Sequence, residues 1–272
     1  MEKEPLFAQE RQKEILALLE AEQKVLVPQL CRQFSVSPAT IRNDLNDLEA
    51  RGLLRRTHGG AIPLSRTGLE LTTAQKTVRR MAEKQAIAAC AAAMVENGET
   101  IAIDTGTTTL ELARCLLART GLTVVTNDLK IAALLEEQSD ATIILIGGCV
   151  RRGFHCTIGP LAMQGMAELR VDRCFMATNG LTVHSGMTTP DIGHAEVKRH
   201  LLRMGQQVIL LCDSEKIGKD SFAVVEGLES VDVLITDAKL RPEQKSALEE
   251  AGLDVRMAPE NQEKLKPRPL PP

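Results

Sequence analysis

The chain contains very few aromatic residues: five Phe, and neither Trp nor Tyr, in 272 residues. Proteins that bind single-stranded nucleic acid, and many RNA-binding modules, stack bases on exposed aromatic rings. The composition therefore argues against these classes. Long apolar runs are also missing, because the longest, AIAACAAAMV and ATIILIGG, are much shorter than the ~20 residues that a membrane-spanning helix needs. We expect no membrane partner.

Signals for export, disulfides and metal sites are lacking as well. The N-terminal residues MEKEPLFAQE are acidic and polar, without the basic start and apolar core of a signal peptide, so we expect a cytoplasmic protein. The seven Cys residues are scattered, and no two have the C-x-x-C spacing. We therefore expect neither a disulfide framework nor a metal site, and we expect no bound cofactor.

Charge is distributed unevenly along the chain. The whole sequence has a net charge of −3, but residues 32–80 contain nine Arg or Lys and four Asp or Glu, a local balance of +5. A length of 272 residues also fits two domains, at ~150 residues each. We interpret the asymmetry as a basic segment that contacts DNA or a membrane, beside a neutral or acidic domain.

Residues 1–61 have the pattern of a winged helix-turn-helix domain. Apolar spacing predicts helices over about residues 8–21 and 27–34. A third helix is predicted after Ser37, a favourable N-cap residue, with Pro38 in its first turn. The following segment, LLRRTHGGAIP, contains an Arg pair and two Gly, which is typical of a β-hairpin wing with contacts to phosphates.

The third predicted helix has two chemically different faces. Ile41, Leu45 and Leu48 form an apolar stripe that is expected to face the core. The opposite face carries short hydrogen-bonding side chains and one Arg, which suit the reading of base edges in the major groove of double-stranded DNA. The candidate DNA-binding residues of this helix and of the wing are Ser37, Thr40, Arg42, Asn43, Asn46, Arg55, Arg56 and His58.

The larger part of the chain alternates V/I/L-rich strands with helical stretches, which is typical of a mostly parallel sheet. We therefore predict an α/β chain in which a small N-terminal winged helix-turn-helix is joined to a larger βα-repeat domain. The connector is expected over residues 62–77, the larger domain over 78–258, and a disordered Pro-rich tail over 259–272. The predicted strands include ETIAID, LTVVT, ATIILIGG, CFMAT, QQVILLC and VDVLITD.

Polar and Gly-rich segments follow the predicted strands. In parallel α/β sheets, ligands bind at the carboxyl ends of the strands. The first such segment is a short Gly/Thr loop that leads into a helix, an arrangement that holds phosphate groups, although it is neither a Walker A loop nor a Rossmann fingerprint. The sequence therefore predicts a site for a phosphorylated small molecule, lined by Asp104, Thr105, Gly106, Thr107, Thr108, Thr109, Asn127, Asp128, Gly147, Gly148 and Lys216.

The segment FSVSPATIRNDLNDLEARGLLRRTHGGA resembles the helix-turn-helix of DeoR-type bacterial repressors, in which V-S-x-x-T-I-R-x-D-L precedes L-E and R-x-H-G-G-A. One position departs from that pattern. The family usually has a second basic residue directly after the Arg, where this chain has Asn43. Fewer phosphate contacts or a different base preference are expected from this change.

The blocks IDTGTTTLELA, VVTNDLKIA, LIGGCVRR, TPDIGHAEVKR and LLCDSEKIGKDSF resemble the DeoR C-terminal sensor domain, whose fold is similar to ribose-5-phosphate isomerase. Together the resemblances cover about residues 8–257. They imply a repressor of a carbohydrate-utilisation operon that binds operator DNA as a homo-oligomer, a dimer or tetramer, and is released by a phosphorylated sugar or sugar acid. They also imply that Glu196 and Lys198 lie around the sugar, although this pair is also explained as a solvated pair on an amphipathic helix.

An enzymatic alternative is a sugar-phosphate isomerase that uses Glu196 as its base. The isomerases of this fold carry an Asp-rich turn ahead of that Glu, where this chain has Asn179 and Gly180, and a neutral amide cannot act as an acid or base. We interpret His184 and His194 as loop residues. A purely structural protein would leave the basic N-terminal segment and the strand-end loops unexplained, so we predict a regulator that is not an enzyme.

Overall fold

The computed structural model describes residues 7–22, 24–57, 59–62 and 72–260. The chain divides into two compact units, residues 1–70 and 71–272. Of the predicted disordered tail, the part from residue 261 onwards lies outside the described residues.

The first unit is a three-helix domain with a small antiparallel sheet. Its sheet has the strand order β1-β3-β2. Ile15, Leu30, Ile41 and Leu45 are fully buried between the helices, and the predicted winged helix-turn-helix is thereby confirmed. The elements are α1 (Ala8–Glu22), β1 (Val25–Leu26), α2 (Val27–Phe34), α3 (Pro38–Ala50), β2 (Arg55–Thr57) and β3 (Gly60–Ile62).

A helix cap fixes the start of α3, and an ion pair joins α3 to α1. The side chain of Ser37 accepts a hydrogen bond from the backbone N–H of Thr40, at 3.1 Å, and so caps the helix as predicted. Across the core, Arg11 of α1 forms a buried ion pair with Asp44 of α3, at 2.6 Å between Nε and Oδ2. This pair adds a charged, directional contact to an otherwise apolar interface between the two helices.

The wing is tied to the helices by a strand that the sequence did not indicate. Strand β1 pairs with β3, with Leu26 opposite Gly60. A Cβ atom on Gly60 would lie 1.9 Å from the carbonyl oxygen of Val25, whereas one on Gly59 would meet nothing within 4 Å. Gly60 is therefore required by a close backbone approach, not by the flexibility of the loop.

The second unit is built on a seven-stranded sheet, in the order β15-β14-β12-β9-β4-β5-β6. All of its strand pairs are parallel, which confirms the predicted fold class. The strands of the unit are β4 (Thr100–Ile103), β5 (Thr123–Thr126), β6 (Thr142–Leu145), β7 (Cys149–Arg151), β8 (Cys156–Ile158), β9 (Val171–Ala177), β10 (Gly180–Thr182), β11 (Gly186–Thr189), β12 (Gly205–Leu211), β13 (Ala223–Glu226), β14 (Val233–Asp237) and β15 (Asp254–Ala258).

Helices cover both faces of this sheet, and two apolar clusters result from the alternation of side chains along the strands. In β4, Ile101 and Ile103 join one cluster together with Phe175, whereas Ala102 joins the other with Leu210. In the part of the chain that the structure describes, no helix is long and apolar enough to cross a membrane. The helices of the unit are α4 (Thr73–Thr77), α5 (Met81–Ala92), α6 (Thr107–Cys115), α7 (Leu129–Gln138), α8 (Pro160–Met166), α9 (Ile192–Met204) and α10 (Pro242–Glu250).

The end of the predicted connector is a structured part of the second unit. Residues 73–77 form α4, which begins with a capping box between Thr72 and Gln75. The backbone N–H of Thr73 donates to the carbonyl oxygen of Gly153, at 3.0 Å. The polar side chains of Thr72 and Gln75 thus serve to cap this helix.

Candidate functional site

The proposed DNA-reading face of α3 is exposed as the sequence pattern indicates. Arg42, Asn43 and Asn46 are exposed, on the side of the helix away from the buried Ile41 and Leu45. Polar side chains on this face are therefore accessible near the N-terminal half of the helix, where recognition helices contact base edges.

The wing contacts α3 directly through Arg56. Its guanidinium donates a hydrogen bond to the side-chain oxygen of Asn46, and its backbone N–H donates to Glu49 Oε1, at 2.8 Å. Two candidate residues that the sequence treats separately are thus joined to each other. Beside them lies a groove of about 450 Å³ lined by Val27, Pro28, Cys31, Arg32, Pro38, Arg42, Arg56, Gly59 and Gly60.

Two candidate positions of the wing lie outside what the structure describes. His58 is not among the described residues, and neither is the side chain of Arg55. Their predicted contacts to DNA stay predictions.

At the carboxyl end of β4, Asp104 forms a buried ion pair with Lys198 of α9. The ammonium group of Lys198 also donates to the carbonyl oxygen of Ala177, at 2.8 Å, and Asp104 Oδ2 accepts a hydrogen bond from the backbone N–H of Ala177, at 3.0 Å. Lys198 is 2% exposed. The fold therefore joins two candidates that lie far apart in the sequence, and Lys198 is not the solvated surface residue of the alternative interpretation.

The Gly/Thr loop is held in shape by its own hydroxyl groups. Thr105 Oγ1 donates to Asp128 Oδ2, at 2.6 Å, and Thr109 Oγ1 donates to the carbonyl oxygen of Gly106, at 3.0 Å. A Cβ on Gly106 would lie 3.1 Å from Thr109 Oγ1 and 3.2 Å from the Cβ of Ala177. The loop leads directly into α6, whose first-turn backbone N–H groups have no hydrogen-bond acceptors within the helix.

Asp128 and Asn127 organise the next strand end. Asp128 Oδ1 caps α7 by accepting hydrogen bonds from the N–H groups of Lys130 and Ile131. Burial raises the pKa of Asp128, and the hydrogen bonds from Thr105 and the helix amides oppose that rise. Asn127 Nδ2 donates to the carbonyl oxygen of Thr157, at 3.0 Å, so its amide links β5 to β8.

Gly147 and Gly148 follow β6, and only one of them is sterically constrained. Gly148 has a φ of +146°, and a Cβ there would lie 2.7 Å from the carbonyl oxygen of Ile158. At Gly147 a Cβ would meet nothing within 4 Å. Gly148 therefore allows β6 to turn closely past β8.

His194 differs from its interpretation as a loop residue. It lies in the first turn of α9 and is 4% exposed. Burial lowers its pKa well below the ordinary value, and the charges of Lys198, Arg151 and Lys76 lower it further. The helical spacing that buries it was hidden by the adjacent Gly193, which suggested a turn. His184, in contrast, is exposed between β10 and β11.

Several buried polar atoms at these strand ends have no hydrogen-bond partner. They are Asp104 Oδ1, Asn127 Oδ1 and both ring nitrogens of His194, and they account for four of the six such atoms found among the described residues. Leaving a buried donor or acceptor unpaired costs about 1–3 kcal/mol. Most buried polar groups in folded proteins are paired, so these four atoms are exceptions that need an explanation.

Lys84 is a member of this region that sequence reasoning missed. It is 4% exposed, and its ammonium group donates to the carbonyl oxygens of Arg79, at 2.6 Å, and of Lys76. Burial lowers the pKa of Lys84 to about 8, with a further lowering by the nearby charge of Lys216. In the sequence it is one of many charged residues on a helix, and no pattern marks it.

The two remaining candidates, Lys216 and Glu196, are not in contact with the pair of Asp104 and Lys198. Lys216 forms an ion pair with Asp213, at 3.3 Å between Nζ and Oδ2. Glu196 lies two residues from Lys198 on α9, so its side chain points to a different side of the helix. The structure therefore does not bring Glu196 to the pair of Asp104 and Lys198.

Metal binding and reactive thiols find no support in the described part of the chain. No group of three or more His, Cys, Asp or Glu there is arranged to hold a metal ion. Cys156, Cys174 and Cys212 are buried, and burial raises the pKa of each thiol. These thiols are protonated at neutral pH and act as small apolar side chains.

Comparison with known proteins finds a matching family for each of the two units. Residues 11–67 match the family described as DeoR-like helix-turn-helix domain, and residues 79–238 match the DeoR C terminal sensor domain. The HTH-type transcriptional regulator GlpR of Haloferax volcanii is 37% identical over 246 residues, which cover 90% of this chain and 96% of its own. The transcriptional repressor AccR of Agrobacterium fabrum is 36% identical over 234 residues, which cover 86% of this chain and 91% of its own.

Among solved structures, ribose 5-phosphate isomerase A from Methanocaldococcus jannaschii is similar to 49% of this chain over 53% of its own, at 15% identity and a TM-score of 0.37. The family assignment rests on the sequence matches, which span both units of the chain. The protein belongs to the DeoR family of DNA-binding transcriptional regulators.

Proposed function

We propose that the protein is a cytoplasmic repressor that leaves its operator when a phosphorylated sugar or sugar acid binds at the strand ends of the second unit. The observation that carries this proposal is the group of unpartnered buried atoms of Asp104, Asn127 and His194. The name of its relative AccR, a transcriptional repressor, supports the direction of regulation.

The phosphate of the effector is assigned to the loop Asp104–Thr109 and the start of α6. The first-turn amides of a helix attract anions through their unpaired N–H groups and the helix dipole. Buried Lys84, together with the nearby Lys216, adds positive charge. The free oxygens of Asp104 and Asn127 accept hydrogen bonds, so they suit hydroxyl groups of the sugar and not its phosphate.

The DNA is assigned to α3 and the wing of the first unit. The exposed Arg42, Asn43 and Asn46 suit contacts to base edges in the major groove, and Arg56 suits a phosphate contact. A single module buries too little surface for tight specific binding, so a second copy supplies the other reading head. We propose that the second unit forms this homo-oligomer.

Catalysis is not part of the proposal. An isomerase of this fold needs a carboxylate base at the sugar, and Glu196 points away from the pair of Asp104 and Lys198. At the turn after β9 the side chain is that of Asn179, whose Oδ1 accepts a hydrogen bond from Thr189 Oγ1, at 3.1 Å. An amide in that place neither takes up nor releases a proton.

Operator affinity measured against a panel of phosphorylated sugars and sugar acids tests the proposal. Effector binding is expected to shift the population towards a state with weaker DNA binding, by about 5- to 150-fold. Gly106→Val is expected to abolish that response and to leave operator affinity unchanged, because its Cβ would lie only 3.1 Å from Thr109 Oγ1 and 3.2 Å from the Cβ of Ala177, and its methyl groups would crowd the loop. No response to any compound would contradict the proposed sensor role.

A further inference from the structure

Two of the buried oxygens without a hydrogen-bond partner belong to side chains on the same face of the seven-stranded sheet. Side chains alternate between the two faces along a strand, so Asp104 shares a face with Ala102 of β4, and Asn127 shares a face with Val125 of β5. Ala102 and Val125 belong to one apolar cluster. The residues directly ahead of Asp104 and Asn127 are partners in the parallel register of β4 and β5. The two polar side chains therefore lie next to each other, where the apolar part of this face ends.

Helix α9 covers this face of the sheet and brings His194 to it. Val197 and Leu201 pack in the same apolar cluster, and His194 lies three and seven residues before them, on the same side of the helix. Lys198, four residues after His194, reaches Asp104, so this side of α9 is turned towards the strand ends. The charge of Lys198 also acts on the imidazole. The imidazole is thus placed at the same strand ends as the two unpaired oxygens.

The unpaired atoms on this face offer mainly hydrogen-bond acceptors. Asp104 Oδ1, Asn127 Oδ1 and both ring nitrogens of His194 are buried without a hydrogen-bond partner among the described residues. Burial lowers the pKa of His194 well below its ordinary value, so the ring is neutral at pH 7. A neutral imidazole has one donor and one acceptor nitrogen, whereas carboxylate and amide oxygens only accept. A ligand group that fits here must therefore be able to donate hydrogen bonds.

A hydroxyl group suits these atoms better than an ion. The charge of Asp104 is already paired with Lys198, and the amide and the imidazole are neutral. Arg151, another cation that acts on the imidazole, is paired with Asp191, at 3.5 Å. An ionic group of the ligand would have to compete with one of these pairs, and burial of an ion without its own partner is costly. A carboxylate would also place its oxygens against acceptors, whereas hydroxyl groups both donate and accept.

We infer that Asp104, Asn127 and His194 form a polyol subsite, which binds hydroxyl groups at the uncharged end of the effector, and that His194 is a specificity-determining residue. The inference rests on the proposed function, because it takes the phosphate of the same ligand to be bound at α6. Helix α6 packs on the opposite face of the sheet, through Leu112, so its N-terminus and the polyol subsite lie on two sides of one strand end. The effector class is thereby narrowed to a phosphorylated sugar or sugar alcohol, and the sugar acid is excluded.

The test compares neutral and acidic compounds of equal chain length on the full-length protein. Isothermal titration calorimetry is carried out with erythritol 4-phosphate, ribitol 5-phosphate and glucitol 6-phosphate, with ribose 5-phosphate and glucose 6-phosphate, and with the acids 4-phosphoerythronate, 5-phosphoribonate and 6-phosphogluconate. At least one neutral compound is expected to bind about tenfold or more tightly than the acid of its length, because the acid leaves a buried acceptor unpaired. Equal affinities, or tighter binding of the acids, would overturn the polyol subsite and leave the sensor role intact.

Two variants test the part that His194 plays. His194→Phe removes both ring nitrogens and is expected to weaken the preferred neutral compound about tenfold while it leaves the affinity for the acid unchanged. His200→Phe is the matched control on the same helix, where Nδ1 lies 2.9 Å from the carbonyl oxygen of Glu196, and is expected to keep both affinities.

The outcomes separate the subsite from the sensor role. Equal weakening of neutral and acidic compounds by His194→Phe would show that His194 does not determine specificity. If His194→Phe does not fold, the comparison of compounds on the unaltered protein decides the inference. If no phosphorylated compound binds or alters operator affinity, the proposed function fails together with the subsite.

Discussion

At the scale of single residues, the pair of Asp104 and Lys198 is the contact on which the proposed effector site depends. Both side chains are almost fully buried. Breaking a buried pair by removal of one partner costs far more than breaking an exposed one, because the remaining charge stays in a poorly solvating place. This pair therefore supports both the stability of the second unit and the arrangement of the strand ends.

Asp104→Ala is expected to lower the free energy of unfolding by about 3–5 kcal/mol, because Lys198 would retain only the carbonyl oxygen of Ala177 as a partner. Urea denaturation measures this loss. A matched control is Glu99→Ala, which removes the partner of Arg173 where both side chains are more exposed, and about 1 kcal/mol is expected there. Equal losses in the two variants would show that burial of the first pair is unimportant.

The candidate site was predictable to the extent that its residues are contiguous in the sequence. Asp104–Thr109 follows one strand without a break, so the segment shows both its chemistry and its position. His194 and Lys84 gave no such signal, because burial of a charged or polar side chain on a helix depends on what packs against that helix. The charges of Lys76 and Arg151 that act on His194 come from α4 and β7, which only the folded chain brings near α9.

At the scale of secondary-structure elements, the sequence predicted the longer strands and missed the shortest ones. The buried parallel strands have continuous apolar runs and were predicted, as was α3 with its cap at Ser37. Strand β1 has two residues and β10 has three, which is too short for an apolar period. Such strands are specified by their partners, such as Thr188 opposite Gly180.

Gly60 and Gly59 give a direct test of the pairing between β1 and β3. Gly60→Ala is expected to destabilise the first unit by about 1–3 kcal/mol and to weaken DNA binding, because its Cβ would collide with the carbonyl oxygen of Val25. Gly59→Ala is the control and is expected to change stability little, since nothing lies within 4 Å. Thermal unfolding and operator binding measure both effects. Similar behaviour of the two variants would contradict the steric explanation.

Helix α3 and the wing are expected to respond differently to loss of their Arg residues. Arg42→Ala is expected to cost about 1–3 kcal/mol on certain operator sequences only, because a base contact discriminates among sequences. Arg56→Ala is expected to weaken binding to all DNA and to reduce the salt slope by about 1, as for a lost phosphate contact. Fluorescence anisotropy over a range of salt concentrations separates the two. If both variants lose the same affinity for every DNA sequence, Arg42 contacts the DNA backbone and not a base.

At the scale of the whole molecule, the proposed repressor requires at least two reading heads, and the second unit offers an apolar edge for association. Strand β6 is at one end of the seven-stranded sheet, where Ile144 is 37% and Leu145 is 45% exposed. Strand β15 is at the other end, where Met257 is 39% exposed. An exposed apolar strand at a sheet edge favours pairing with another chain.

Ile144→Lys is expected to dissociate the proposed homo-oligomer, because it places a charge on the apolar edge that we assign to the interface. Light scattering after gel filtration measures the mass, and anisotropy measures operator affinity. A monomer carries one reading head, so its specific binding is expected to approach the non-specific level, which is typically ~10³-fold or more weaker. Met257→Lys is the matched control and is expected to retain mass and affinity. If only Met257→Lys dissociates the protein, the interface lies at β15, and if neither does, association does not use these edges.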